Sequence, residues 1–196
     1  MRANTAVGYS LVELLFVMGL MATLTAVAIP QLLATIDTFR AIGATRYLST
    51  RLHRARSEAV MRSADVAMRF VRSDGAYAFA VYVDGNRNGV HAPDIDHGID
   101  RQIGAVERLG DSFGGIEFGA IPGLPPVDEG AIAPGDDPIR LGSSDSVTFT
   151  AMGTSTPGSL YIRSRRGAQY VIRIFGQTGK TRVLRFNVRT WKWMSQ

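Results

Sequence analysis

Between Tyr9 and Ile29 the chain reads YSLVELLFVMGLMATLTAVAI, and Glu13 is the one charge in that run. An ionisable side chain inside an apolar span is costly and calls for a partner. The chemistry open to it is electrostatic. A carboxylate at helical spacing can neutralise an amine on a neighbouring chain, and such a pair is favoured when both charges are present and penalised when one is missing. A second group of residues is cationic. Nine Lys and Arg fall between Ser146 and Gln196 with no Asp or Glu, leaving 13 of the 22 basic residues with all 17 acids in the rest of the chain. This asymmetry suits an acidic partner, nucleic acid included.

Strict alternation along extended segments puts Tyr170, Ile172 and Ile174 on one face of Ala168–Phe175 and Arg173 on the other. The same rule turns Leu184, Phe186 and Val188 one way and Arg185 and Arg189 the other, with Arg163 and Arg165 opposite Leu160 and Ile162. The expectation is five arginines on one sheet face, with Lys180 and Arg182 at the turn. Cations so placed hold phosphates without reading base sequence, and Trp191 and Trp193, alternating with Lys192, could stack on bases. The competing reading is a solvated Arg-rich face with both Trp packed on the head.

The remaining candidates are weaker. Asp84-Gly85-Asn86-Arg87-Asn88-Gly89 offers oxygens from Asp84, Asn86 and Asn88 and then a Gly turn, a pattern similar to the start of an EF-hand calcium loop. The twelfth position is Ile95 rather than the bidentate acid, so an Asx-rich turn is the preferred reading. His91 and His97 flank that loop as solvated side chains, and His53 is read as a surface residue without a partner. The chain has no cysteine, which excludes a disulfide framework, a thiol nucleophile and a thiolate metal site. No Ser/His/Asp arrangement, phosphate-binding glycine motif or spaced carboxylate pair is present, so no enzyme and no cofactor are expected, calcium being the one weak possibility.

These residues need elements to position them. Tyr9–Ile29, as a helix rising about 1.5 Å per residue, crosses the roughly 30 Å hydrocarbon layer. The run exceeds the core of a secretory signal peptide, and Arg2 before it favours keeping that end cytoplasmic. Pro30 ends the apolar run and is the expected site of a helix kink, since it removes a helical hydrogen bond. From Gln31 to Arg62, Leu33, Ile36, Phe39, Ile42, Tyr47, Leu48, Leu52, Ala55, Ala59 and Val60 recur at three- and four-residue steps, as an amphipathic helix requires. Beyond Arg62 the period becomes two. Asp65–Arg72 and Ala76–Val83 form a hairpin about Ser73-Asp74-Gly75, and further strands are expected at Arg101–Leu109, Ile116–Ala120, Ser146–Ala151, Ser159–Arg165, Ala168–Phe175 and Thr181–Arg189. Ile121–Pro138, rich in Pro, Gly and acid, reads as a mobile loop. The fold expected is α+β: a long N-terminal helix, with a transmembrane first half, packed on a mostly antiparallel β head of two small sheets, the helix lying on one of them.

Gly8-Tyr9-Ser10-Leu11-Val12-Glu13-Leu14 resembles the class III leader of type IV pilins and pseudopilins, with Tyr9 where Phe is usual. Val147–Ile162 followed by Ala168–Phe186, with its TPG and TGK turns, resembles the C-terminal half of the GspH/FimT group of minor pilins. The resemblance implies a pilin-like fold, cleavage after Gly8 by prepilin peptidase, and N-methylation of Tyr9. It further implies that Glu13 sets the axial register of subunits. The division it implies is a leader over 1–8, a transmembrane and filament-core helix over 9–30, an amphipathic half over 31–62 and a β-rich head over 63–196. The expected role is a minor pilin or pseudopilin of the bacterial inner membrane, with its head in the periplasm. It would assemble with other pilins into a type IV pilus or a type II secretion pseudopilus, as primer or cap. Gly179-Lys180-Thr181-Arg182 is similar to the GRxR-like element of DNA-binding members of the group, which makes capture of double-stranded DNA the alternative.

Overall fold

The computed structural model describes residues 9–128, 133–142 and 144–196. The chain divides into two compact units, Met1–Ile36 and Asp37–Gln196, and the boundary falls within the first helix, α1 (Leu11–Arg62).

In the first unit the apolar side chains face outward. The helix is long and apolar enough to cross a membrane, with a mean hydropathy of 2.2 in its most apolar window and none of that window buried. Its few hydroxyls are satisfied locally: Thr23, Thr25 and Thr35 donate to the carbonyls of Leu20, Met21 and Gln31. These three hydroxyls are thereby satisfied within the helix, as a hydrocarbon environment demands. Helical structure continues through Pro30, although the proline has no N–H to give to the turn before it.

The second unit opens on the remainder of α1. Its buried stripe is Ala41, Ala44, Thr45, Leu48, Leu52, Ala55 and Ala59. Phe39, Tyr47 and Val60, placed by the sequence pattern on the apolar face, are exposed. Large apolar residues on two flanks made the stripe's azimuth ambiguous. The alanines decide it, because small side chains let the helix approach closely enough for Leu48 and Leu52 to reach into the core.

Sheet A runs in the order β3 (Arg101–Arg108), β2 (Ala76–Val83), β1 (Val66–Ser73), β6 (Ser146–Phe149). Sheet B runs β10 (Lys192–Ser195), β9 (Lys180–Asn187), β8 (Gln169–Phe175), β7 (Gly158–Ser164), β4 (Ile116–Phe118), with β5 (Ile139–Arg140) also pairing with β7. Short helices α2 (Ala92–Asp96) and α3 (Leu109–Ser112) lie on either side of β3. Every pairing is antiparallel. The β1–β2 turn places Asp74 at φ 53° and Gly75 at φ 79°, the paired left-handed geometry that an Asp-Gly hairpin favours.

The main core joins α1 to both sheets. Leu48 and Leu52 belong to one cluster with Met68, Phe70 and Phe79 of sheet A and with Leu160, Ile162, Tyr170 and Ile172 of sheet B. The helix therefore covers both sheets, not one. Phe118 closes the seam between them, edge-on to Phe70 at 5.4 Å and to Tyr77 at 6.1 Å. Polar contacts repeat the pattern: Tyr47 and Arg51 both bond Glu107 of β3, whereas Ser49 meets Thr181 of β9.

Candidate functional site

Glu13 sits in the first turn of α1, where a carboxylate also suits the helix dipole. The helix is seeded just before it, with Leu14 N–H donating to the Ser10 carbonyl at 3.1 Å. Tyr9 is 86% exposed, and Glu13 is exposed and forms no salt bridge among the described residues. The acid thus stands in an apolar stretch with no answering charge among the described residues. Gly8 lies outside the described residues.

The basic residues of sheet B are not gathered on one face. Residues opposite one another in an antiparallel ladder share a face. Arg173 stands opposite Arg182 and Ser159, whereas Tyr170 stands opposite Arg185 and Ile162. Arg163 and Arg173, with Arg182, therefore project on the outer face, and Arg185 projects on the face that carries Tyr170 and Ile172. Arg189 belongs to the turn after β9, whose form is set by Asn187 Oδ1 accepting the N–H groups of Arg189 and Thr190. Alternation holds within each strand, but the phase between strands is set by hairpin register. The sequence reading matched Leu184 and Phe186 to the Ile172 face. They belong instead with Tyr161 and Val171 in a second apolar cluster, covered by Leu124, Ile121, Val127 and Trp193. Sheet B is apolar on both sides, so apolar matching alone could not fix its phase.

Over residues 121–128, that second cluster also corrects the reading of the 121–138 segment as loose; residues 129–132 lie outside the described residues. Over its first part the segment is fastened down. Gln169, buried, bonds the carbonyls of Gly119, Ile162 and Tyr170 and accepts Ile121 N–H. Trp193 Nε1 donates to the Pro125 carbonyl at 3.0 Å, and its ring packs on Phe186 and Tyr161. Arg173 pairs with Asp128 at 2.7 Å, and Arg163 with Glu117 at 2.7 Å. Burial pushes the Tyr161 phenol upward from its ordinary pKa, as loss of solvation does to a group that ionises to an anion. Of the cations considered for phosphate, Arg163 and Arg173 are thus occupied. Arg165, Lys180, Arg182, Arg185 and Arg189 are exposed and form no salt bridge among the described residues.

The Asp84 loop is knit by its own amides. Asp84 Oδ1 accepts the N–H groups of Asn86 and Arg87, and Oδ2 accepts that of Gly89. Asp100 takes Gly85 and His91 N–H in the same way. The side-chain amides of Asn88 and Asn86 hold Asp94 below the usual carboxylate range. Carboxylates committed to backbone donors make an Asx-type turn that needs no cation to keep its shape. His91 and His97 lie against the carbonyls of Asn88 and Pro93, and no three His, Cys, Asp or Glu converge as a metal site among the described residues. His53, expected to be without a partner, has its Nε2 3.0 Å from Thr181 Oγ1.

One arrangement escaped the sequence reading. Arg56 Nε donates to the Gly153 carbonyl at 3.0 Å, and Gly179, at φ +60°, packs into the same corner. The turn that presents Lys180 and Arg182 is thereby clasped to α1. Only the two glycines within the TPG- and TGK-containing segments hinted at it.

Comparison with known proteins agrees with this architecture. The family model described as type II transport protein GspH matches residues 44–178. The pilin-like protein PilA1 of Thermus thermophilus is 35% identical over 91 residues, which are 46% of this chain and 56% of that protein. The match thus spans little more than half the length of that relative. No solved structure matches.

Proposed function

This chain belongs to the family of GspH type II transport proteins, and from that premise we propose that it is a membrane-anchored minor pilin or pseudopilin processed at Gly8. In this reading prepilin peptidase cuts after Gly8, Tyr9 is N-methylated, and the helix holds the subunit in the inner membrane with its head in the periplasm. The subunit then enters a type IV pilus or a type II secretion pseudopilus, which it primes or caps, and Pro30 lets the helix bend as it packs. Other pilins are its partners, and its role is structural.

The observation that carries this reading is Glu13, the one charge in the apolar, outward-facing stretch from Tyr9 to Ile29. A neighbouring subunit that presents a new N-terminal amine answers it. A pair formed between subunits fixes their axial offset, because an unpaired charge in a helical bundle is heavily penalised. The test is the intact mass of protein from sheared filaments. A mass beginning at Tyr9 with one added methyl group, seen only when prepilin peptidase is present, is expected. Functional protein that retains Met1, or that is cut near Pro30, would sink the reading.

DNA capture is a second reading, supported by Lys180 and Arg182. They are exposed on a clasped turn and form no salt bridge among the described residues, so they remain available to phosphates. The full chain in detergent is expected to retard duplex DNA at low salt, with the retardation lost as salt rises. Replacing both with Ala should weaken binding about tenfold or more, since charge contacts dominate such affinity. Absence of any shift at low salt would retire the reading.

A further inference from the structure

One end of the head is cationic and carries an exposed tryptophan. The β7–β8 and β9–β10 turns share that end of sheet B, since Arg163 pairs with Gln169, Tyr170 with Arg185, and Phe186 with Trp193. The β1–β2 turn of sheet A joins them, because Ala76, Arg108 and Arg165 line a single cavity of about 250 Å³. The head portion of α1 starts there too: Gly43 and Tyr47 touch Phe113, just ahead of β4, and Ala41 is the first buried residue of the helix.

Arg72, Arg165, Arg166, Arg189 and Lys192 are exposed there. The acids at this end lie on its sheet A and β4–β5 side. Glu117 is held by Arg163, and Asp74 lies 3.5 Å from Arg108. Asp111 lines the cavity with Arg165, Asp136 lines a cavity with Arg72, and Asp137 and Asp145 lie near Tyr77. The β7–β8 and β9–β10 turns themselves carry no acid. Asp65, Asp84 and Asp100 lie at the opposite end of sheet A, with Asp84 N–H donating to the Asp65 carbonyl. Trp191 is 49% exposed, edge-on to Phe186 at 5.1 Å, and its backbone is held at φ 54°. A bulky residue is rarely kept in that left-handed region without a reason. Neighbouring Val188 is 57% exposed. Arginines beside an amphipathic indole are the combination that settles at a headgroup layer.

We propose that this end of the head, built from the turns at 73–75, 165–168 and 188–191, docks on an anionic lipid surface and so orients the unassembled subunit. The arginines meet lipid phosphates, and Trp191 with Val188 enters the headgroup boundary. This rests on the reading of residues 9–30 as a membrane span. Each basic residue near an anionic surface strengthens attraction by roughly fivefold, so release into a filament needs only the removal of a few such contacts.

Trp191 and Trp193 are the two tryptophans of the chain, which gives a direct readout. The full chain is reconstituted in vesicles of phosphatidylcholine alone, or with phosphatidylglycerol, each containing lipids spin-labelled near the headgroup. In low salt, tryptophan emission is expected to be quenched about threefold more with phosphatidylglycerol, and Trp191→Phe should remove most of that difference. Half-molar salt should abolish it, since exposed charges are then screened within a few ångströms. Charge reversal by Arg165→Glu, Arg166→Glu and Arg189→Glu together should do the same, whereas Lys180→Glu with Arg182→Glu should not. Equal quenching in the two lipids, or its persistence in the triple variant, overturns the proposal. Release of the head by millimolar inorganic phosphate assigns a discrete phosphate site instead. Duplex DNA bound in neutral vesicles through the same three arginines, without lipid-dependent quenching, assigns nucleic acid. Alkaline extraction separates the two failures: a chain that leaves the vesicles refutes the span, whereas one that stays but shows no lipid dependence refutes the docking.

Discussion

A Glu13→Leu chain should remain in the membrane yet enter filaments at less than roughly one-tenth of the wild-type level. The sign of each half follows from the same carboxylate. Replacing an acid with Leu makes the span more apolar, so membrane insertion improves. Filament entry suffers because the amine of the neighbouring Tyr9 is left without its counter-charge among packed helices, which is the costly way to break an ion pair. Head folding should be untouched, since the buried face of α1 begins at Ala41. The measurement is the fraction of subunit in sheared filaments against the membrane fraction, with circular dichroism of both forms. Glu13→Gln distinguishes charge from shape: it keeps the size of the side chain and should fail nearly as badly. Normal incorporation of either variant would remove the register role of Glu13.

Gly179→Ala should be strongly damaging, because it combines backbone strain with a collision. At φ +60° an L-residue is strained, and a Cβ there would collide with the Gly153 carbonyl oxygen and lie 2.8 Å from Arg56 Nε. The strain costs about 1–2 kcal/mol. The collision must push back a carbonyl that already accepts from Arg56, and overpacking of that kind adds about 1–3 kcal/mol. For a chain of this size the total lowers Tm by roughly 5–15 °C. Gly75→Ala isolates the contribution of the contact. Its φ is +79°, but nothing lies within 4 Å of the added carbon, so only the conformational penalty of about 1–2 kcal/mol applies. Thermal unfolding followed by near-ultraviolet circular dichroism checks both. Similar shifts for the two variants would show that the corner of Gly153, Gly179 and Arg56 is not tightly packed.

The end of α1 at Arg62 and most of the strand positions were legible in the sequence because period and turn chemistry are local properties. Asp74-Gly75 forces its hairpin whatever packs around it. Glu13 was legible for a similar reason: a charge in an apolar run is anomalous without reference to anything distant. The phase of sheet B was not legible. Leu184 and Phe186 announce an apolar face, but two apolar faces exist, and the ladder that sets Arg173 against Arg182 is fixed by the turn between β8 and β9. The buried side of α1 was legible in part: Leu48, Leu52, Ala55 and Ala59 are buried as expected, but Phe39, Tyr47 and Val60 are exposed. Phe39 and Val60 are more apolar than Ala41 and Ala59, yet closeness of approach outweighs the transfer energy of one side chain when two sheets must share a single helix.

By itself the sequence determined that this protein has an apolar run over residues 9–29 carrying one acid, continued by an amphipathic helix into an antiparallel β head, and that the last third of the chain is basic. Tertiary structure alone decided which arginines are occupied by Asp128 and Glu117, and that residues 119–128 seal the outer face of sheet B. It also decided that Trp193 is packed while Trp191 remains half exposed. The physical reason is range. Periodicity and charge content are fixed by neighbours along the chain, whereas the pairing of a cation depends on groups more than forty residues away that only the fold brings within 3 Å.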